Sequence, residues 1–215
     1  FIIIGLVIIL IVGIFLFLRN SMQSDEDILD YTPDELLPLE RYMVNCLDQV
    51  GKQGLLLIGK QGGYIDLPAE YYSSPRSYIQ ELSGGFKTPM WKVDGVYRYP
   101  ETDEVNAQLA GYIEENIESC VTDAITLDTI DDLNIASEPA AEVSVNEDDV
   151  SIILDYEIQS VTDDKVTTYD KYGVRIPVKL YDMLRTAAYI LQKNDEDTFL
   201  ARSTVNLMSL DPDIP

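Results

Sequence analysis

The first eighteen residues, FIIIGLVIILIVGIFLFL, carry no charge and no polar side chain. A helix of that length rises about 1.5 Å per residue and extends about 27 Å, enough to cross the hydrocarbon core of a bilayer. Such a segment must sit in lipid or pack against other apolar helices. Gly5 and Gly13 would let neighbouring helices approach closely, with Phe1, Val12, Phe15 and Phe17 as packing groups. Arg19 and Asn20 close the run, and Asp25-Glu26-Asp27 follows. The chain is thus expected to divide into a hydrophobic helix (1–19), an acidic stalk (20–33) and a folded polar body.

The charge of that body is unusual. Fifteen basic residues face thirty-eight acidic ones, a net charge of −23. Such a field repels nucleic acid and anionic lipid headgroups, so neither is an expected partner. A solvated acidic surface is the plain reading; cation binding and adaptation to high salt are the functional ones. Only Arg19 flanks the apolar run before the acids begin, which favours a body outside the cell. Cys46 and Cys120, an even count, suit one disulfide in an exported body, two separate buried thiols being the alternative. The chain has no Asn-x-Ser/Thr acceptor for N-glycosylation.

Hydrophobic periodicity organises the body into two stretches, 34–125 and 140–210. Thr32-Pro33-Asp34-Glu35 has the form of a capping box, and a long helix is expected from about Pro38. Leu39, Met43, Cys46/Leu47, Val50 and Leu57 give its apolar face, and Gly59 with Gly62-Gly63 ends it. Residues 64–67 suggest a short strand and 69–89 a loop. Asp94-Gly95, between two alternating runs, predicts a tight hairpin. Thr102 caps a second helix with Val105, Leu109, Ile113, Ile117 and Cys120/Val121 on its apolar face. Both cysteines therefore lie on buried helix faces, where a staple between the helices is natural if they pack side by side.

Residues 122–140 read as an acidic connection. Beyond it the period changes to two: 142–146, 150–161 and 165–178 predict an antiparallel meander. Leu180, Met183/Leu184, Ala187 and Ile190/Leu191 mark a third helix, and 198–210 a fourth. Segregated helices and strands indicate an α+β fold.

The search for reactive chemistry is mostly negative. The chain contains no histidine, which removes Ser-His-Asp and Cys-His nucleophiles and every His-ligated metal. Two cysteines cannot build a four-cysteine zinc site. Gly54-Leu-Leu-Leu-Ile-Gly59-Lys60-Gln61 approaches a phosphate-binding loop, but Gln61 offers no hydroxyl for Mg²⁺ and the intervening residues are large and apolar. Asp128/Asp131/Asp132/Asn134 and Glu147/Asp148/Asp149 could collect Ca²⁺, yet neither has the spacing of an EF-hand loop. No carboxylate pair stands out for glycoside hydrolysis. No cofactor, metal or enzymatic activity is expected.

Fourteen tyrosines accompany one tryptophan. Tyr64, Tyr71, Tyr72, Tyr78, Trp91, Tyr97 and Tyr99 cluster between the cysteine-bearing helices. They form a candidate contact surface, since tyrosine brings large area and a polar tip; packing at the rim of an ordinary core is the competing reading.

The segments FIIIGLVIILIVGIF, VNCLDQVGKQGLLLIGKQGGYI, LAGYIEENIESC and GVRIPVKL resemble a group of archaeal single-span surface proteins, which supplies no activity to carry over. The N-terminus also resembles type IV pilins, whose mature chains begin directly with a hydrophobic helix, often at a phenylalanine, after a leader peptidase acts. Gly5 stands where bacterial pilins carry glutamate, and Pro33 and Pro38 break a helix that in pilins runs on into the head. The resemblance implies a cell-surface structural subunit with copies of itself as partners, and the membrane as its anchor before assembly. The alternative is a monomeric, membrane-anchored binding or accessory protein of an envelope complex.

Overall fold

A computed structural model describes residues 38–81, 85–126, 133–162 and 165–210. The hydrophobic helix at 1–19, the stalk and the Thr32 capping box lie outside the described residues. Helix α1 (Pro38–Lys60) opens the body. A 3-10 turn (Ala69–Ser73) and two small antiparallel hairpins follow, β1 (Tyr78–Gln80) with β2 (Lys87–Pro89) and β3 (Lys92–Val93) with β4 (Val96–Tyr97). Then come α2 (Thr102–Thr126), the strands β5 (Leu133–Ile135), β6 (Ala140–Val145), β7 (Val150–Thr162) and β8 (Lys165–Ile176), and helices α3 (Leu180–Asp197) and α4 (Phe199–Leu210).

The fold is α+β, as the change of period implies. The four strands are antiparallel, with β7 in the middle: β8 pairs along one edge, while β5 and β6 lie end to end along the other. Residues Val150, Ile152, Leu154, Tyr156 and Ile158 alternate onto one face of β7 and are all buried. Helices α1 and α2 cover that face, α1 over β8 and α2 over β6, and pack against each other. One core cluster thus draws on both stretches of the body, from Leu39 to Val121 and from Val143 to Leu180. Helix α2 also caps the free edge of β6: Asn106 Oδ1 accepts the Val145 N–H at 3.0 Å and Glu114 Oε1 the Ala141 N–H at 2.8 Å. An edge strand closed by side chains offers no template for further pairing.

The two cysteines are bonded. Cys46 on α1 and Cys120 on α2 have Cα atoms 5.9 Å apart, so the side-by-side packing required for a staple is present. Close helix approach depends on small residues beneath it. A Cβ on Gly54 would meet Leu109 Cδ1 at 2.5 Å, and one on Gly51 would meet Ile152 Cδ1 at 2.7 Å.

Opposite a break between β5 and β6, the register of β7 on β8 shifts between Asp155 and Ile158. The extra residue there is a bulge, and its neighbour Tyr156 points inward with a buried hydroxyl that finds no hydrogen-bond partner among the described residues. An unsatisfied buried hydroxyl costs stability, so Tyr156→Phe is expected to raise the thermal midpoint, by about 1 kcal/mol of added stability.

Four expectations need correction. Residues 64–67 form no strand, because the Ile65 and Asp66 N–H groups both donate to Gln108 Oε1, at 2.7 and 3.0 Å, a side chain standing in for a neighbouring strand. The stretch 69–89 holds a 3-10 turn and a hairpin, where Gly and Pro had suggested loop alone. Helix α2 runs on to Thr126 and β5 follows, so the connection is shorter than 122–140. On α3, Leu180 is buried and Leu184 packs on the core, but Met183 stays 53% exposed and Ala187 is exposed as well. That helix rests on the body through its first turns and is tied further along by polar contacts. Helix α4 is largely exposed, with Val205 and Leu207 each 64% accessible.

Candidate functional site

The aromatic segment begins where α1 ends. Gly62 and Gly63 have φ of +62° and +100°, and the Gly63 N–H donates to the Ile58 carbonyl at 2.8 Å, the long bond of a Schellman cap. A side chain at Gly63 would also strike Pro100 Cγ at 2.3 Å. The turned chain is then held by side chains: Trp91 Nε1–H donates to the Gly62 carbonyl at 2.9 Å, Gln61 Nε2 to the Ile65 carbonyl at 2.6 Å, and the Lys87 N–H to Gln61 Oε1 at 3.2 Å. The Gln-Gly-Gly-Tyr stretch is therefore a helix terminator that anchors both small hairpins. The approach to a phosphate-binding loop is not realised, since Gly54 and Gly59 lie within α1 itself.

The seven aromatic residues divide by depth. Tyr64 and Tyr71 are buried, edge to face with ring centres 5.8 Å apart, beside Leu67 in a small second core. The Tyr71 hydroxyl donates to the Arg98 carbonyl. Burial pushes the ionisation of both phenols up. These two belong to the rim-packing reading and present no surface in the monomer. Tyr72, 51% exposed, and the half-buried Tyr78 pair edge to face at 5.8 Å; Trp91 and Tyr99 are tilted at 6.3 Å.

Hairpin β3–β4 turns as its sequence requires. Asp94 and Gly95 have φ of +50° and +83°, both in the left-handed region. The hairpin docks on α3: Tyr97 donates to Asp195 Oδ2 at 2.6 Å, Lys92 pairs with the same carboxylate, and Gln192 Nε2 donates to the Tyr99 hydroxyl at 3.2 Å. Hydrogen bonds from Lys92 and Tyr97 hold the Asp195 carboxyl below the usual range, while donation to Asp195 raises Tyr97 to about 12. Stability from Asp195 is present above the ordinary carboxylate pKa and lost as pH falls through its lowered value. Stability from Tyr97 is present below pH 10.0 and lost as pH rises through about 12. In a spectrum of ring-labelled tyrosines, Tyr97 is expected to titrate near 12, and Asp195→Asn to bring it down towards 10.0.

Cations meet aromatic rings around the β1–β2 hairpin. Lys87 Nζ lies 4.6 Å from the Tyr72 ring centre and 5.9 Å from that of Tyr78, and Lys60 Nζ lies 4.8 Å from the Phe86 ring centre. Ile79 on β1 is 62% exposed, and Leu56, one turn before Lys60, is 57% exposed. Lys87, Phe86 and Ile79 were not singled out from sequence, and Lys60 and Leu56 only as part of the rejected likeness to a phosphate-binding loop. The signal available was local charge: residues 60–98 hold five basic and four acidic residues, leaving ten basic and thirty-four acidic for the rest of the chain.

Other candidate chemistry finds little support in the geometry. Asp148 pairs with Lys179 at 2.9 Å, and Asp149 with Arg175 at 3.5 Å and with Asn146 and Ser151, so this acid cluster is engaged with cations and amides. Asp128, Asp131 and Asp132 lie outside the described residues. Among the described residues no group of three or more His, Cys, Asp or Glu side chains is placed to hold a metal ion. An open cleft of about 380 Å³ lies between Tyr99–Asp103 and the α3 residues Tyr181, Leu184 and Arg185. No helix among the described residues is long and apolar enough to cross a membrane. Comparison with family models, curated proteins and solved structures yields no match to this chain.

Proposed function

We propose that this chain is the structural subunit of an extracellular pilus-like filament, assembled through its hydrophobic N-terminal helix, with the acidic α+β body on the exterior. The observation that carries the reading is the pairing of an eighteen-residue apolar segment with a body stapled by Cys46–Cys120. A bond of that kind persists in an oxidising compartment, which suits a body exported beyond the membrane. The apolar segment then serves first as an anchor and afterwards as packing between copies, with Phe1, Val12, Phe15 and Phe17 as the packing groups. Gly5 and Gly13 allow helices to approach closely. The exposed aromatic residues of the 64–99 region contribute contacts between bodies.

Negative-stain electron microscopy of native envelope material, with mass spectrometry of the N-terminal peptide, tests the proposal. Filaments whose subunit starts at or within a few residues of Phe1 are expected. Single particles in membrane, with a basic leader attached, would make the chain a tethered binding domain instead. Gly5→Leu and Gly13→Leu are each expected to abolish filaments while the Cys46–Cys120 bond still forms; normal filaments from both variants would defeat the assembly model.

A further inference from the structure

The two outer edges of the main sheet are finished differently. Along β6, Asn106 and Glu114 of α2 take the outward N–H groups of Val145 and Ala141. Along β8 the ladder itself shows which groups face out. The Ala136 N–H donates to the Glu157 carbonyl, so Glu157 bonds towards β5, and by alternation Gln159 and Val161 turn to that side too. Their partners on β8, Thr168 and Val166, therefore turn their own N–H groups away from the sheet. Both are exposed, Val166 at 56%, and no strand among the described residues lies beyond them. An open edge of this kind is a template for one more strand.

Charge and position select the occupant. Strand β8 carries Lys165, Lys171 and Arg175 against a single acid, Asp170, in a chain of net charge −23. Helix α1 lies over β8: a Cβ on Gly51 would meet Ile176 Cδ1 at 3.0 Å, and the charge of Glu40, in the first turn, acts on the Tyr172 hydroxyl. The start of α1 is thus beside β8 near Tyr172. Residues 21–32, SMQSDEDILDYT, hold four acids, no cation and no proline, so every one of them has an N–H to give. Residues 33–37 join them to Pro38 and extend to at most about 18 Å, enough to pass from a helix to the strand beneath it.

We propose that the outer edge of β8 docks residues 21–32 of the same chain as an added strand. Backbone hydrogen bonds hold the strand, and its acids face the cations of β8. The short connection to Pro38 keeps this segment at high local concentration, which favours it over the same segment of a second copy. Docked there, it straps the apolar N-terminal segment to the body and sets the angle between them. The inference is independent of the filament reading, since a tethered monomer would carry the same strap.

The test uses full-length chain in detergent, mixed from unlabelled and ¹⁵N-labelled copies and treated with a carbodiimide. Amide links from Lys165 or Lys171 to Asp25, Glu26, Asp27 or Asp30 are expected within copies of one isotope. The Val166 and Thr168 amides should exchange with solvent about tenfold more slowly than in the charge-reversed variant D25K/E26K/D27K/D30K. That variant should keep the Cys46–Cys120 bond and the protection of Leu154 in the core. Combining it with K165E/K171E should return the slow exchange. Equal exchange at Val166 and Thr168 in the wild type and the first variant would overturn the proposal. Links found only between unlike isotopes would overturn it as well, by giving the edge to a second copy.

Discussion

Replacing Cys46 and Cys120 together by alanine is expected to lower the stability of the folded body by about 4 kcal/mol, a large share of what a domain of this size possesses. The bond closes a loop of 74 residues that includes both small hairpins and most of α2. In the chain-entropy account, freeing a loop of that length returns about 4 kcal/mol of conformational freedom to the unfolded state. The native state loses packing as well, since Cys46 is 2% exposed within the core. The bond also fixes how α1 lies on α2, and both helices cover the sheet. Thermal unfolding of the full chain in detergent, followed by circular dichroism with and without a reductant, gives the measurement. Midpoints that coincide for the oxidised, reduced and double-alanine proteins would show that the staple is dispensable.

Leu109→Ala is expected to cost about 3–5 kcal/mol, the range for emptying a fully buried leucine site. Leu109 is 0% exposed, and its Cδ1 occupies the space that a side chain on Gly54 would need. The vacated volume lies between two helices whose separation is fixed by the disulfide, so collapse around it is limited. A second substitution makes the argument specific. Gly54→Ala should destabilise the wild type or leave it unchanged, because its Cβ would lie 2.5 Å from Leu109 Cδ1. In the Leu109→Ala background the same methyl enters the vacated space, and it is expected to recover about 1 kcal/mol, part of which comes from replacing glycine within a helix. Additive effects across this double-mutant cycle would mean that residues 54 and 109 do not share a site.

Much of the fold was legible in order of periodicity. Helix α2 is the clearest case: Val105, Leu109, Ile113, Ile117 and Val121 repeat at helical spacing, and all are 0% exposed. The meander was legible because period two leaves no other way to bury Val150, Ile152 and Leu154 on one face. Asp94-Gly95 announced its turn through a stereochemical requirement that few residue pairs meet. The failures lie where backbone groups are satisfied by distant side chains. Gln108, more than forty residues along the chain, takes the N–H groups of Ile65 and Asp66, and no local pattern encodes that. The candidate surface was half legible. Its tyrosines were visible by count, but which were interior depended on how the Gly62-Gly63 turn folds Tyr64 and Tyr71 beneath the hairpins.

The sequence by itself determined the apolar N-terminal segment, the acidic balance, the lack of histidine, the α+β class and the two helix faces that carry cysteine. These are local or compositional properties, set by hydropathy, charge and backbone stereochemistry one residue or one turn at a time. Tertiary structure alone decided that Cys46 meets Cys120, that Asn106 and Glu114 close the edge of β6, and that Asp195 receives both Lys92 and Tyr97. It also decided that Lys60 lies over the ring of Phe86 and Lys87 over that of Tyr72. Each of these joins residues far apart in the chain, and such partners are chosen only when the packing of helices on the sheet brings them within hydrogen-bond or Coulomb range.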